Sequence, residues 1–341
     1  MNGLLAPTGF GRLRVLVEVC IYSMLGFVAD ISYDVLRALR IIAPMRPAAD
    51  YQPSSIDDWT DEQLIDLHVN GSEERARLPP LHVNPDPKFV NVWPLTEDTV
   101  CKRDNHVPHD GPSPEATALD IVFRATTIPV PRVRRTLHLS DELVDETFTV
   151  MDRIPGRPLE QVWPTLSLLG KLRIACILRS YIRQLRAIRH PRAFIPELMF
   201  KGALDRYVTP WENVSQFVAW FVERYERSQS YFPEVHKGTT MEPLDVTGPL
   251  VLTHCDIAMR NVMMGDDGRV YLIDWEYAGF YPRWVEYVNL RNWIRMMSWG
   301  GMSTSVDTTD KLWHMLIPFM TMGPYPKQEL WFERARYGID N

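Results

Sequence analysis

Apolar positions along this chain change their period several times, and each period predicts an element. Val15 to Ala29 is an almost unbroken apolar run interrupted by Glu18, and the pattern continues at helical spacing through Tyr33, Leu36, Leu39 and Ile41. Fifteen residues containing a carboxylate are too few for a membrane span. Glu18 and the large Phe27 also argue against a cleaved signal peptide. The expected element is a helix packed on its own chain, with membrane-surface association or a dimer contact through residues 15–29 as the alternatives. A Pro/Ala-containing link, Pro44 to Pro53, precedes a short helix over Asp58 to Val69 whose acidic start suits its N-terminus. Strands are expected at Phe89 to Trp93 and Thr99 to Lys102, a helix at Glu115 to Ala125, and strands again at Val133 to Thr136 and Thr147 to Met151. Pro155-Gly156 ends that extended region. Leu168, Leu172, Ala175, Leu178, Ile182 and Leu185 then recur at helical spacing among arginines, the pattern of an amphipathic helix with a solvated face. Pro233 to Pro249 is rich in turn formers and reads as a loop.

The most informative pattern lies beyond that loop. Asn261 to Met264 and Arg269 to Ile273 are short apolar runs separated by Gly265-Asp266-Asp267-Gly268, which predicts a β-hairpin. His254, Asp256 and Asn261 precede or open it in H-x-D-x-x-x-x-N spacing, and Asp274 leaves it. Such a hairpin brings Asn261 and Asp274 to one end. Two oxygen ligands there suit a hard cation that takes its remaining ligands from phosphate and water. The carboxylate of Asp256 suits proton abstraction from an attacking hydroxyl. An Asp/Asn pair at this spacing is by itself a common feature of solvated turns. The ordered set His254, Asp256, Asn261, hairpin and Ile273-Asp274-Trp275 carries the functional reading.

Length and charge narrow the class. The chain has 341 residues and a net charge of −6, which fits two lobes around one cleft and argues against nucleic acid as a partner. Cys20, Cys101, Cys176 and Cys255 are widely separated, with neither metal-ligand spacing nor a disulfide framework. That suits a reducing, cytoplasmic setting where ATP is available.

The segments THCDIAMRN, IDWEYAGFYPRWVEY, TTIPVPRV and FTVMDRIPGRPL resemble the aminoglycoside phosphotransferase and choline kinase superfamily, most closely its fungal members, over about Val92 to Tyr287. The resemblance implies an α+β, two-lobed, protein-kinase-like fold. In it, residues 1–50 would be an N-terminal helix and linker, 51–153 a small β-rich lobe ending at the hinge, and 154–341 a larger helical lobe. It implies ATP and Mg²⁺ as cosubstrate and metal, and a small-molecule hydroxyl as acceptor. By the same resemblance Lys102 contacts the α and β phosphates and Glu115 is its ion-pair partner. Backbone groups at Met151, Asp152 and Arg153 hydrogen-bond the adenine edge. Asn261 and Asp274 hold the metal, and His254 is structural at the site.

Two departures from the family pattern stand out. No glycine occurs between Ser72 and Asp110, so the phosphate-covering loop expected within Val83 to Leu95 has none to bring its backbone close to phosphate. Cys255 also stands between His254 and Asp256 where many relatives have glycine or another residue. Aromatic residues crowd both sides of the catalytic segment: Trp211, Phe217, Trp220, Phe221 and Tyr225 before it, and Trp275, Tyr277, Phe280, Tyr281, Trp284, Tyr287, Trp293 and Trp299 within and after it. Most should pack helices together. Those left over would suit a bulky apolar or aromatic acceptor, with Glu276, Trp275 and Glu286 as candidates to hold it. The readings that follow are a hydroxyl-directed small-molecule kinase, a tailoring enzyme whose phosphate becomes a leaving group, and a pseudokinase or binding module without turnover.

Overall fold

A computed structural model describes residues 9–38, 52–81, 91–104, 113–140, 145–189, 214–236, 241–299 and 306–336. In chain order these form helix α1 (Gly9–Ala38), α2 (Asp61–Asn70), α3 (Ser72–Ala76), strands β1 (Val92–Pro94) and β2 (Thr99–Asp104), helix α4 (Pro114–Ala125), strands β3 (Val133–Ser140), β4 (Asp145–Asp152) and β5 (Gly156–Pro158). Helices α5 (Leu159–Val162), α6 (Leu168–Leu185), α7 (Val214–Tyr231) and α8 (Pro233–His236) follow. The remainder comprises β6 (Val251–Thr253), β7 (Val262–Gly265), β8 (Val270–Leu272), β9 (Gly279–Tyr281), α9 (Val285–Trp299), α10 (Val306–Thr309), α11 (Lys311–Met320) and α12 (Pro326–Arg336). The class is α+β, as expected, with the antiparallel sheet in the N-terminal part and helices dominating the C-terminal part.

The chain divides into two compact units. One comprises residues 45–159 and 260–278, the other residues 1–44, 160–259 and 279–341. In the first, an antiparallel sheet runs in the order β1-β2-β4-β3. Pro94 is tolerated because β1 lies at the sheet edge, where a missing N–H breaks no ladder. Ile56, Leu64, Leu95, Cys101, Leu137, Phe148 and Val150 form the core beneath it. Helix α2 begins three residues later than the sequence pattern suggests, because Thr60 and Gln63 form a reciprocal cap that fixes the start at Asp61. Of the first expected strand only the end is seen as β1, and Phe89 and Val90 lie outside the described residues. So does the phosphate-covering loop as far as Val90.

Helices and one small sheet build the other unit. Helix α6 starts and ends where its apolar period does, capped by Ser167, whose side chain accepts from the Gly170 amide. Its buried stripe packs on α11, and Trp163, in the turn before α6, meets Trp313 of α11 edge to face at 5.3 Å. Helices α7 and α12 close on each other through Phe221 against Phe332 and Tyr225 against Trp331. The expected loop after α7 opens with the helical turn α8, and residues 241–250 have no regular element. That stretch leads into β6, which pairs with β9 and is bridged to Arg189 through Val251.

Candidate active site

The strongest electrostatic feature belongs to the first unit. Lys102 lies on β2 opposite Thr149 and Val92, and its side chain is turned into the protein, with 3% of the residue exposed. Helix α4 is started by Ser113, which caps the Ala116 amide, with Pro114 in the first turn, and this places Glu115 on the buried side. The Lys102 ammonium is 2.7 Å from the Glu115 carboxylate, 2.5 Å from Asp274 and 3.3 Å from Glu276. Neither Lys102 nor Glu115 is the solvated surface charge that such residues usually are.

Three carboxylates around one ammonium leave an excess of negative charge. Burial alone would lower the Lys102 pKa, but Asp274, Glu115 and Glu276 outweigh it and hold the amine well above its usual value. The Glu115 pKa is raised as well, which for a carboxyl favours the neutral form. Burial, together with the charges of Asp274 and Asp104, raises it against the pull of Lys102. Among the described residues no three His, Cys, Asp or Glu side chains converge to hold a metal unaided. The donor set instead fits an ion that needs only one or two protein oxygens and finds the rest on phosphate, as Mg²⁺ does.

The hairpin explains how distant residues reach this cluster. Strands β7 and β8 pair with Val262 opposite Leu272, and the Asn261 carbonyl accepts from the Ile273 amide at 3.0 Å. Asn261 and Asp274 therefore sit at the same open end of the hairpin, as the sequence pattern predicts. The Gly268 turn closes the other end with a φ of 79°, a left-handed conformation that glycine adopts without cost. Asp274 itself has a φ of 66°, and the next amide, Trp275, donates to Glu115 at 3.0 Å. A left-handed non-glycine residue held by such a contact is strain stored at a site.

The second unit holds the other half of the motif. His254, Cys255 and Asp256 follow β6 and are nearly inaccessible, at 0%, 1% and 7% exposure. The His254 and Cys255 amides both donate to the Glu286 carboxylate, at 2.7 and 3.1 Å, and Asn289 donates to the Cys255 carbonyl. The Asp256 amide donates to His254 Nδ1 at 3.2 Å, so the histidine shapes the loop rather than facing a ligand. Cys255 has a φ of 64°, which explains physically why a glycine would suit the position. Burial pushes its thiol far above the usual range, so it is an inert filler.

Several expected site residues turn out to have other tasks. Glu286 is 1% exposed on α9 and is committed to the loop backbone, so it is not a contact for an acceptor. Asn289 was not singled out by sequence reasoning. Its only signal was a position three residues after Glu286 on the same helix face. Trp275 is fully buried and donates from its indole to the Leu272 carbonyl. Glu276 belongs to the Lys102 cluster. At the hinge, Met151 pairs with Val100 and Val133 within the sheet. The Asp152 amide donates to Arg132 and the Arg153 amide to Asp98, while the Asp152 carboxylate holds Arg134 at 2.6 Å. Phe217, Trp220, Phe221, Tyr225, Phe280, Tyr281, Trp284 and Tyr287 are buried as core. Tyr277 and Trp293 are half-buried, and Trp211 and the side chain of Trp299 lie outside the described residues.

The profile of the phosphotransferase enzyme family (APH) matches residues 87–305, nearly two thirds of the sequence. The chain belongs to that family. Among solved structures it is similar to the streptomycin–ATP ternary complex of APH(2")-IIa, at 14% identity over 80% of this chain and 85% of that one, with a TM-score of 0.45. The gentamicin complex of APH(2")-IIa is similar at 16% identity, covering 72% and 76%, with a TM-score of 0.42. A spectinomycin phosphotransferase, APH(9)-Ia, bound to ADP and spectinomycin, is similar at 13% identity over the same shares, with a TM-score of 0.38. Likenesses this distant add no argument to the family assignment. No curated protein matches the chain.

Proposed function

We propose that this phosphotransferase moves the γ-phosphoryl group of ATP to a hydroxyl of a small molecule. The observation that carries the reading is the buried Lys102 ammonium, tied at once to Glu115 and to Asp274, which lies 172 positions away in the chain. Lysine is held charged there to meet phosphate, and Glu115 keeps it aimed. Asn261 and Asp274 would hold Mg²⁺, which when bound neutralises phosphate charge. Asp256 takes the proton of the acceptor hydroxyl as its oxygen bonds to the γ-phosphorus. The bond from that phosphorus to the bridging oxygen breaks and ADP leaves.

Adenine is read by backbone groups near Met151 to Arg153. With the amides of Asp152 and Arg153 engaged, the carbonyls of that stretch and the Ile154 amide, which has no acceptor among the described residues, serve the base edge. A bulky apolar or aromatic acceptor is the finer reading. With most aromatic residues buried, it rests on Tyr277 and Trp293.

Equilibrium binding of ATP with and without Mg²⁺ tests the site. Asp274→Ala should abolish magnesium-dependent affinity, and Asn261→Ala should reduce it less, since an amide oxygen is the weaker ligand. Unchanged magnesium-dependent affinity in Asp274→Ala would remove the assignment.

A further inference from the structure

Helix α1 carries an apolar surface that the phosphotransfer chemistry does not use. Its segment Leu13–Val35 is 23 residues, long and apolar enough by composition to cross a bilayer, yet only 6% of it is buried. Leu13, Leu16, Met24, Phe27 and Val28 are each more than half exposed, at 57%, 59%, 63%, 66% and 56%. Placed at 3.6 residues per turn, the exposed apolar side chains from Leu13 to Val35, Val15 apart, cover about 180° of the helix circumference. Between Val17 and Ile31 no charged residue falls in that arc.

The opposite side of α1 is built to dock on its own unit. Gly26 lies so close to Arg179 that an added Cβ would stand 2.4 Å from the guanidinium. Arg179 grips Asp30 with two hydrogen bonds of 2.8 and 2.9 Å, Arg183 grips Asp34, and the Tyr22 hydroxyl donates to the Met315 carbonyl at 2.8 Å. These anchors run along the helix from residue 22 to residue 34, about 18 Å. Asp30 is thereby turned away from the apolar arc, and Asp34 is held at its edge by Arg183. Further exposed apolar groups sit on the two helices beneath: Leu168 and Leu169 at the start of α6, and Met315 on α11.

We propose that α1 is a membrane-surface anchor that lies flat in one leaflet of a lipid bilayer, apolar arc toward the acyl chains and aspartate face toward the protein. A second copy of the chain fits less well. Val17, Ile21, Met24, Val28, Ile31 and Val35 repeat at alternating spacings of four and three and would make a seam for one partner helix. Leu13, Leu16 and Phe27 on one flank and Leu25 on the other would stay exposed where such seams carry charge. Only a solvent that is apolar across the whole arc covers them all. A transmembrane pose fails for a different reason, because it would carry Asp30, Asp34 and their arginines into hydrocarbon.

Co-flotation of the full chain with phosphatidylcholine vesicles tests this. The expected result is binding to uncharged vesicles that persists at high salt, with Met24→Asp/Phe27→Asp lowering the bound-to-free ratio at least about tenfold. Leu25→Asp gives an independent second site, and unchanged ATP affinity certifies that each variant is folded. A tag placed before Gly9 should stay open to protease added outside the vesicles. Absence of flotation, binding lost at high salt, or protection of that tag would each overturn the proposal. So would a stable dimer that the double variant splits while vesicles bind neither form, since the occupant would then be a second copy.

Discussion

Cys255 and Glu286 show how single residues hold the loop that carries Asp256. The left-handed Cys255 presents its carbonyl to Asn289 and its amide to Glu286, so its conformation orients the loop that carries Asp256. Cys255→Gly relieves the left-handed strain and should leave stability within about 1 kcal/mol. Cys255→Val puts a β-branched side chain where it is an outlier and should cost roughly 1–3 kcal/mol, read from denaturant midpoints. Equal losses in both variants would show that the backbone angle is not the cause. The Glu286 carboxyl is raised from 4.5 to about 7, chiefly by burial, against the pull of the His254 and Cys255 amides and of Arg186. The folded protein therefore binds this proton more tightly than the unfolded chain. Its contribution to stability is complete below about pH 4.5 and is lost as pH rises through about 7. Glu286→Gln should flatten that part of the stability–pH profile, leaving the share that Glu115 contributes with the same sign. An unaltered slope would mean that Glu286 is not the titrating group.

At the scale of elements, the three-stranded sheet β5-β7-β8 joins the hinge to the hairpin that bears Asn261 and Asp274. Gly156 is required there. Its φ is 151°, and an added Cβ would stand 2.3 Å from the Met264 carbonyl oxygen and 2.8 Å from the Gly265 Cα, both backbone atoms that cannot swing aside. Gly156→Ala should cost about 2 kcal/mol or more and weaken Mg²⁺–ATP binding along with stability. Gly248→Ala is the control, with a φ of 100° but nothing within 4 Å of the added carbon, and it should cost about half as much. A similar loss at both positions would reduce the Gly156 effect to backbone strain.

The hairpin was legible in sequence because two glycines bracket its turn and apolar runs flank it. Helix α6 was legible because its apolar residues keep the helical period from Leu168 to Leu185. What sequence could not reveal was the destination of charges brought together by tertiary contacts. Glu276 and Glu286 look alike along the chain. One joins the Lys102 cluster and the other holds a backbone 32 positions earlier.

For the whole molecule, the family assignment and the Lys102 cluster point to one activity, while α1 adds a surface that the activity does not explain. The two features rest on different residues: α1 is held through Arg179, Arg183 and Met315, and the cluster is built from Lys102, Glu115, Asp274 and Glu276. The central claim is phosphoryl transfer with Asp256 as proton acceptor. Its most direct test is single-turnover transfer from γ-labelled ATP across a panel of hydroxylated metabolites, with the intact chain and Asp256→Asn compared on whichever acceptor is labelled. The account predicts magnesium-dependent label on an acceptor hydroxyl, a rate about 10² to 10⁴ lower in Asp256→Asn, and ATP affinity little changed. Full-rate transfer by Asp256→Asn on that same acceptor would contradict it.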